Sequence, residues 1–209
     1  GTPLVRMRDL SEKDKDIKKE YHLSLENILN HGMLIKGQEV VETEKHLKEL
    51  TGKKYNVLIS CASSGLFLSL QAIGIKEGDE VITTPLSWLM TSSVIKQLGA
   101  KPVFVDVNDD YNMNIDLIEN NITSKTKAIL PVHYYGKVID TSSVKSICQK
   151  YNLILIEDVA QAAGGMINNI MAGQNADISV YSFGPMKNLH ALGDLGCVST
   201  NSLDIGNEI

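Results

Sequence analysis

A chain of 209 residues can bury one sizeable core or two small ones. Its 25 acidic and 20 basic side chains leave a formal charge of −5, and no Lys/Arg run exceeds a pair, so there is no electrostatic footprint for nucleic acid or an anionic membrane. Cys61, Cys148 and Cys197 are odd in number and far apart, which argues against a disulfide framework or a CxxC metal site and for reduced, apolar core residues.

The chain opens on "GTPLVRMRDL", without the apolar stretch of a signal peptide, and no apolar run reaches the ~18 residues of a membrane span. A cytoplasmic protein is expected. Residues 12 to 31 carry Ile17, Tyr21, Leu25, Ile28 and Leu29 at the spacing of an amphipathic helix. "GQEVVETEKHLKELTG" repeats the pattern with Val40, Val41, Leu47 and Leu50 and closes on Gly52, a helix-ending signal. We therefore divide the chain into a helical segment, residues 1–52, packing on a larger domain, residues 53–209.

From residue 56 the texture changes to short apolar runs: "NVLIS", "EVITT", "PVFVD", "KAILPVH", "LILIED", "ISVYS" and "GCVST". Helical signals lie between several of them, as in "DTSSVKSICQKY", where Val144, Ile147 and Cys148 share a face behind an Asp/Thr/Ser cap. Continuous rather than alternating apolar strands predict an α/β fold, a mostly parallel seven-stranded sheet covered by helices on both faces. Thr83, Thr84, Asp106, His133, Glu157, Asp158 and Ser182 stand at the carboxyl ends of these runs. That is the edge where doubly wound sheets bind ligands.

Four constellations have both a structural and a chemical reading. In "CASSGLFLSLQAIG", Ser63, Ser64 and Gly65 either cap a helix or offer its N-terminus to a phosphate; the pattern is neither GxGxxG nor GxxxxGK[ST]. In "LILIEDVAQAAGG", Asp158 and Gln161 fit a capping box, or Asp158 faces a protonated heterocyclic nitrogen that keeps it ionised. Trp88 in "TTPLSWLMTSS" is either core or a flat partner for a planar ring. Lys187 in "VYSFGPMKNLHALGDLG" is either a surface lysine or a nucleophile in a partly desolvated pocket, with Ser182 five residues before it. A lysine, an acid, a stacking group and a phosphate cradle are the parts that pyridoxal phosphate requires.

In order and spacing, "SSG", "GDEVITTPLSWLMTSSVI", "GAKPVFVDV", "KAILPVHYYGKVID", "IEDVAQAAGG" and "SFGPMKNL.ALGDLG" resemble the DegT/DnrJ/EryC1/StrS family of pyridoxal phosphate-dependent sugar aminotransferases. The resemblance runs from about residue 30 to residue 201. It implies the aspartate aminotransferase-like fold, type I. It also implies that Lys187 is the covalent cofactor anchor and proton shuttle, Asp158 the partner of the pyridine nitrogen and Trp88 the stacking residue. Gln161 would lie near the phenolic oxygen, and Ser182, Ser64 and Gly65 would hold the phosphate. The implied substrates are L-glutamate and a keto sugar, most typically a nucleotide-linked 4-keto-6-deoxyhexose, in amino-sugar and polysaccharide biosynthesis. A homodimer with a shared active site is implied as well.

Two departures accompany the resemblance. Relatives read Ser-Gly-Thr at the phosphate turn, whereas Leu66 follows Gly65 here, which implies a lost hydroxyl contact and weaker cofactor binding. The family's C-terminal small domain has no counterpart before Ile209, so the sequence reads as a large domain cut after its seventh strand. The competing function is a catalytically silent member that binds cofactor or a partner. Lys187 argues against the sugar 3-dehydratase branch, which carries histidine there.

Overall fold

The computed structural model describes residues 10–209, which divide into two compact units at Thr43/Glu44, a break that falls inside the second helix. In the first unit, α1 (Lys15–His31) starts where the Asp14 carboxylate accepts from the N–H groups of Asp16 and Ile17 and ends at Gly32 in the left-handed conformation, φ 73°. The expected helix is present, yet none of its residues is buried. The amphipathic pattern states which face needs cover and not what covers it. His31 Nε2 donates to Glu39 Oε1 at 2.9 Å, and the Met33 N–H donates to His31 Nδ1. The bond from His31 holds the Glu39 carboxyl below the usual carboxylate range.

The second unit takes the end of α2 (Gln38–Thr51), closed by Gly52 at φ 64°, and the remainder of the chain to Ile209. All seven apolar runs form strands of one sheet: β1 (Tyr55–Ile59), β2 (Glu80–Thr83), β3 (Lys101–Phe104), β4 (Thr126–Leu130), β5 (Ile154–Asp158), β8 (Ile178–Ser182) and β9 (Gly196–Thr200). A short separate hairpin, β6 (Met166–Ile167) and β7 (Ile170–Met171), sits between β5 and β8 in sequence. The sheet order is β1-β9-β8-β5-β4-β2-β3. Every pairing from β8 through β5, β4 and β2 to β3 is parallel, and β9 alone runs the other way, antiparallel to both β8 and β1.

Consecutive residues of the central strands face opposite sides, and both sides are covered. Val81, Ala128, Leu130, Ile156, Ile178 and Val180 pack with Leu66 and Leu70 of α3 (Ala62–Ala72) and with Val94 and Ile95 of α4 (Met90–Gln97). Ile82, Ile129 and Leu155 pack with Val144, Ile147 and Cys148 of α5 (Thr141–Tyr151). The Asp140 carboxylate caps α5 by accepting from the Ser142 N–H. A last helix, α6 (Leu203–Glu208), comes after β9. Among the described residues no helix is long and apolar enough to cross a membrane.

α3 lies flat on the sheet, held there by a glycine. A Cβ at Gly65 would come 2.4 Å from Ile59 Cδ1, 2.9 Å from Val180 Cγ1 and 3.0 Å from Val198 Cγ2. Only glycine lets this turn close onto β1, β8 and β9, which sets the height of the helix N-terminus over the sheet edge.

Candidate active site

The carboxyl ends of β1, β5 and β8 lie on one edge of the sheet, because all three strands run the same way. A cavity of about 320 Å³ opens there, entirely within the second unit. Five of the predicted site residues line it together: Trp88, Asp158, Gln161, Ser182 and Lys187. Ser64 and Gly65 do not.

Asp158 ends β5 with its carboxylate buried, 4% exposed. Oδ1 accepts from the Ala160 N–H at 3.1 Å and Oδ2 from the Thr91 hydroxyl at 3.2 Å. Burial pushes its pKa above the usual carboxylate value, opposed by the Ala160 N–H, the Thr91 hydroxyl and the Lys187 charge. No helix comes after it, so the capping-box reading fails; residues 159–165 are turns and irregular chain. Gln161 Oε1 instead accepts from the Tyr135 N–H at 3.0 Å. Since that contact uses the amide oxygen, the two N–H donors of Gln161 are left for the cavity it lines. Tyr135 holds φ 52°, a left-handed conformation uncommon for a non-glycine residue, to aim that N–H.

Lys187 is half-buried in the connection between β8 and β9. The turn is tight: the Lys187 N–H donates to Gly184 O at 2.9 Å, and the Ala191 N–H returns to Phe183 O at 2.8 Å. Asn188 Nδ2 ties the loop to Ala163 O at 2.7 Å, just beyond Gln161. Trp88, 74% exposed, stands in the turn between β2 and α4, with Ser87 beside it at the cavity wall. It is not a core tryptophan.

The start of α3 meets the cavity two residues before the predicted Ser64 and Gly65. Ala62 and Ser63, the first two residues of α3, line the cavity, together with Cys61. The Gly65 N–H is already spent on Cys61 O at 3.1 Å, and its Cα faces the sheet. Ser64 turns toward an adjacent groove, where its hydroxyl meets Ser60 Oγ at 3.3 Å and Cys61 Sγ at 3.5 Å. Hydrogen bonds from the Ser64 hydroxyl, then the Ser64 N–H, hold the Cys61 thiol below its ordinary pKa. Leu66, 3% exposed, belongs to the core and the cavity floor, so the hydroxyl at this wall comes from Ser63.

The polar row at the strand ends is only partly a site. Glu157 and His133 are fully buried and bonded to each other at 2.9 Å. The Ile139 N–H donates to His133 Nδ1, which assigns the ring proton to Nε2, and the Gly173 N–H donates to Glu157 Oε2 at 2.6 Å. This pair fastens the β4 and β5 ends below the cavity. Thr83 spends its hydroxyl on Leu130 O, and Asp106 accepts from the Val107 N–H. Thr91 and Asp194, which the sequence motifs do not single out, are also cavity-lining. Thr91 could have been found from its i,i+4 spacing to Ser87 across a helix start.

Residues 15–209 match the model of the DegT/DnrJ/EryC1/StrS aminotransferase family. The chain belongs to this family. It is 39% identical over 94% of its length to the "pleiotropic regulatory protein" of Geobacillus stearothermophilus, spanning 53% of that protein. It is 34% identical over 99% of its length to the UDP-2-acetamido-2-deoxy-3-oxo-D-glucuronate aminotransferase of Pseudomonas aeruginosa, spanning 58% of it. Among solved structures, NtdA of Bacillus subtilis with bound cofactor PMP superposes with a TM-score of 0.87 at 32% identity, over 93% of this chain and 44% of that one. The chain thus spans about half the length of the DegT/DnrJ/EryC1/StrS relatives it matches.

Proposed function

We propose that this chain forms the cofactor-binding large domain, of the type I pyridoxal phosphate fold, of an aminotransferase that moves an amino group from L-glutamate to a nucleotide-linked keto sugar. The observation that carries the reading is the convergence of Lys187, Asp158, Gln161, Trp88, Ser182 and Ser63 on one cavity at a sheet edge. The donor set fits the cofactor. A buried carboxylate suits a protonated ring nitrogen. The first turn of α3, whose leading N–H groups lack intrahelical partners, suits a phosphate, with the Ser63 hydroxyl beside it.

When bound, the cofactor supplies an electron sink for the carbanion formed at the donor's Cα. The rest is the work of the chain. Asp158, held at both oxygens, accepts the ring N–H and keeps that proton in place. Gln161 presents its amide N–H groups to the phenolic oxygen, while Trp88 gives the ring a flat apolar face and excludes water from it. Lys187 Nζ would anchor the cofactor and, when free, would take the proton from the donor's Cα and return one to the acceptor carbon. Ser63 and Ser182 hold the phosphate end.

For the acceptor we carry a nucleotide-linked 4-keto-6-deoxyhexose, within amino-sugar and cell-surface polysaccharide biosynthesis in the cytoplasm. The name of the Pseudomonas relative puts the carbonyl at carbon 3, so a 3-keto sugar nucleotide belongs in the same assay. A homodimer sharing the site is part of the proposal. Its support is the exposed apolar rim of Trp88, Leu89, Met186 and Leu192. Residues 1–52 are proposed to pack on the large domain of residues 53–209. A silent, regulatory role is the second reading, favoured by the name of the Geobacillus relative.

The test uses Trp88, the sole tryptophan. Titrating pyridoxal phosphate into the wild-type chain is expected to quench Trp88 fluorescence and develop a visible absorption band that Lys187→Ala lacks. Adding L-glutamate should bleach the band, and a keto sugar nucleotide should restore it. A band that glutamate leaves unchanged supports the silent reading; no Lys187-dependent band defeats the cofactor reading.

A further inference from the structure

Asp158 is the buried one of the two acids that line the cavity, and a buried carboxylate works as an acceptor only if something keeps it aimed and ionised. The groups facing it are few. Lys187 and Asp194 come from the connection after β8 and Cys61 from the start of α3, while His133, from the end of β4, acts on it only from the far side of the sheet. Glu157, its neighbour in β5, points to the opposite face, where it is bonded to His133. None of these is within hydrogen-bond distance of its oxygens. The side-chain donor that is, Thr91, comes from the first turn of α4 and is itself 1% exposed.

The direction of the hydrogen bonds can be read. A carboxylate only accepts, so the single proton of Thr91 Oγ1 goes to Asp158 Oδ2. Ser87 Oγ lies 2.8 Å from Thr91 Oγ1, and with the Thr91 proton committed, Ser87 must be the donor there. The chain is Ser87 to Thr91 to Asp158. Because Ser87 and Thr91 flank Trp88, and the Thr91 N–H donates to Trp88 O at 3.0 Å, the same bonds brace the turn that carries the aromatic ring.

We propose that Thr91, aimed in turn by Ser87, is the positioning residue that fixes the Asp158 carboxylate toward the cavity and holds it in its acceptor form. The role rests on the aminotransferase reading for its purpose, but not for its measurement. The Thr91 hydroxyl is one of the contacts that offset the desolvation of Asp158. Losing it costs a buried carboxylate one of its two hydrogen bonds and favours the protonated form.

The experiment titrates Asp158 in the cofactor-free 209-residue chain by pH-difference infrared spectroscopy, the Asp158 carboxyl band being assigned by its loss in Asp158→Asn. Thr91→Val is expected to raise the Asp158 midpoint by about one pH unit, a tenfold gain in proton affinity, and Thr91→Ser to return it close to wild type. Ser87→Ala should shift it the same way by less. It also serves if circular dichroism finds Thr91→Val unfolded. Pyridoxal phosphate titrations followed by Trp88 fluorescence complete the set, with weaker quenching expected for Thr91→Val and recovery in Thr91→Ser. A Thr91→Val midpoint equal to wild type, a Thr91→Ser midpoint as displaced as that of Thr91→Val, or an unmoved Ser87→Ala when it is the variant read, overturns the proposal. If the midpoints move as expected while pyridoxal phosphate leaves Trp88 untouched, the aminotransferase reading fails and the positioning role stands.

Discussion

At the scale of single residues, Asp158 carries the sharpest conflict between folding and function. Burial raises its pKa, so the folded chain holds that proton more tightly than the unfolded chain does. By linkage, stability from this group is full below the unfolded carboxylate pKa and is lost as pH rises through the raised folded value. Asp158→Asn removes the loss. In the cofactor-free chain, urea midpoints of wild type should therefore fall relative to Asp158→Asn as pH rises across that window, and a difference independent of pH would contradict the assignment. Asp158, Gln161, Trp88, Ser182 and Lys187 could be placed at one edge from the sequence because Asp158 and Ser182 end strands and the other three follow a strand end within five residues. Thr83, Asp106, His133 and Glu157 look the same in a sequence. Only their hydrogen bonds separate fasteners from cavity residues.

Elements were legible to a different limit. The strands were visible as apolar runs because the central ones are buried on both faces, and α5 because its cap and apolar face agree. The reversed direction of β9 was not, since strand pairing is a long-range fact and "GCVST" reads identically either way. The thirteen-residue connection, residues 183–195, lacks any helix that a parallel return would need. The register of the turn into α3 was also illegible. Which residue of "CASSG" faces a ligand depends on the rotation of the helix, and that is set by Gly65 pressing on Ile59, Val180 and Val198. Gly65→Ala should accordingly lower stability by about 1–3 kcal/mol, the usual cost of overpacking, measured by urea denaturation. It should also weaken phosphate binding by lifting the N-terminus of α3. A neutral Gly65→Ala would mean that this contact does not seat the helix.

For the whole molecule, the described fold brings one set of chemical groups to one edge and leaves Trp88 and Met186 of the cavity lining exposed. The solved relative that superposes with a TM-score of 0.87 is more than twice as long as the matched region, which makes up 44% of it. Under the proposed function, cofactor capture is the step assigned to residues 53–209, and it can be measured without turnover. The decisive measurement is the site of covalent attachment. After incubation with pyridoxal phosphate and reduction with borohydride, peptide mass spectrometry should find the phosphopyridoxyl group on Lys187, with labelling there saturating at low cofactor concentration and falling in Asp158→Asn. Labelling spread over surface lysines, with Lys187 no more modified than the rest, would contradict the account.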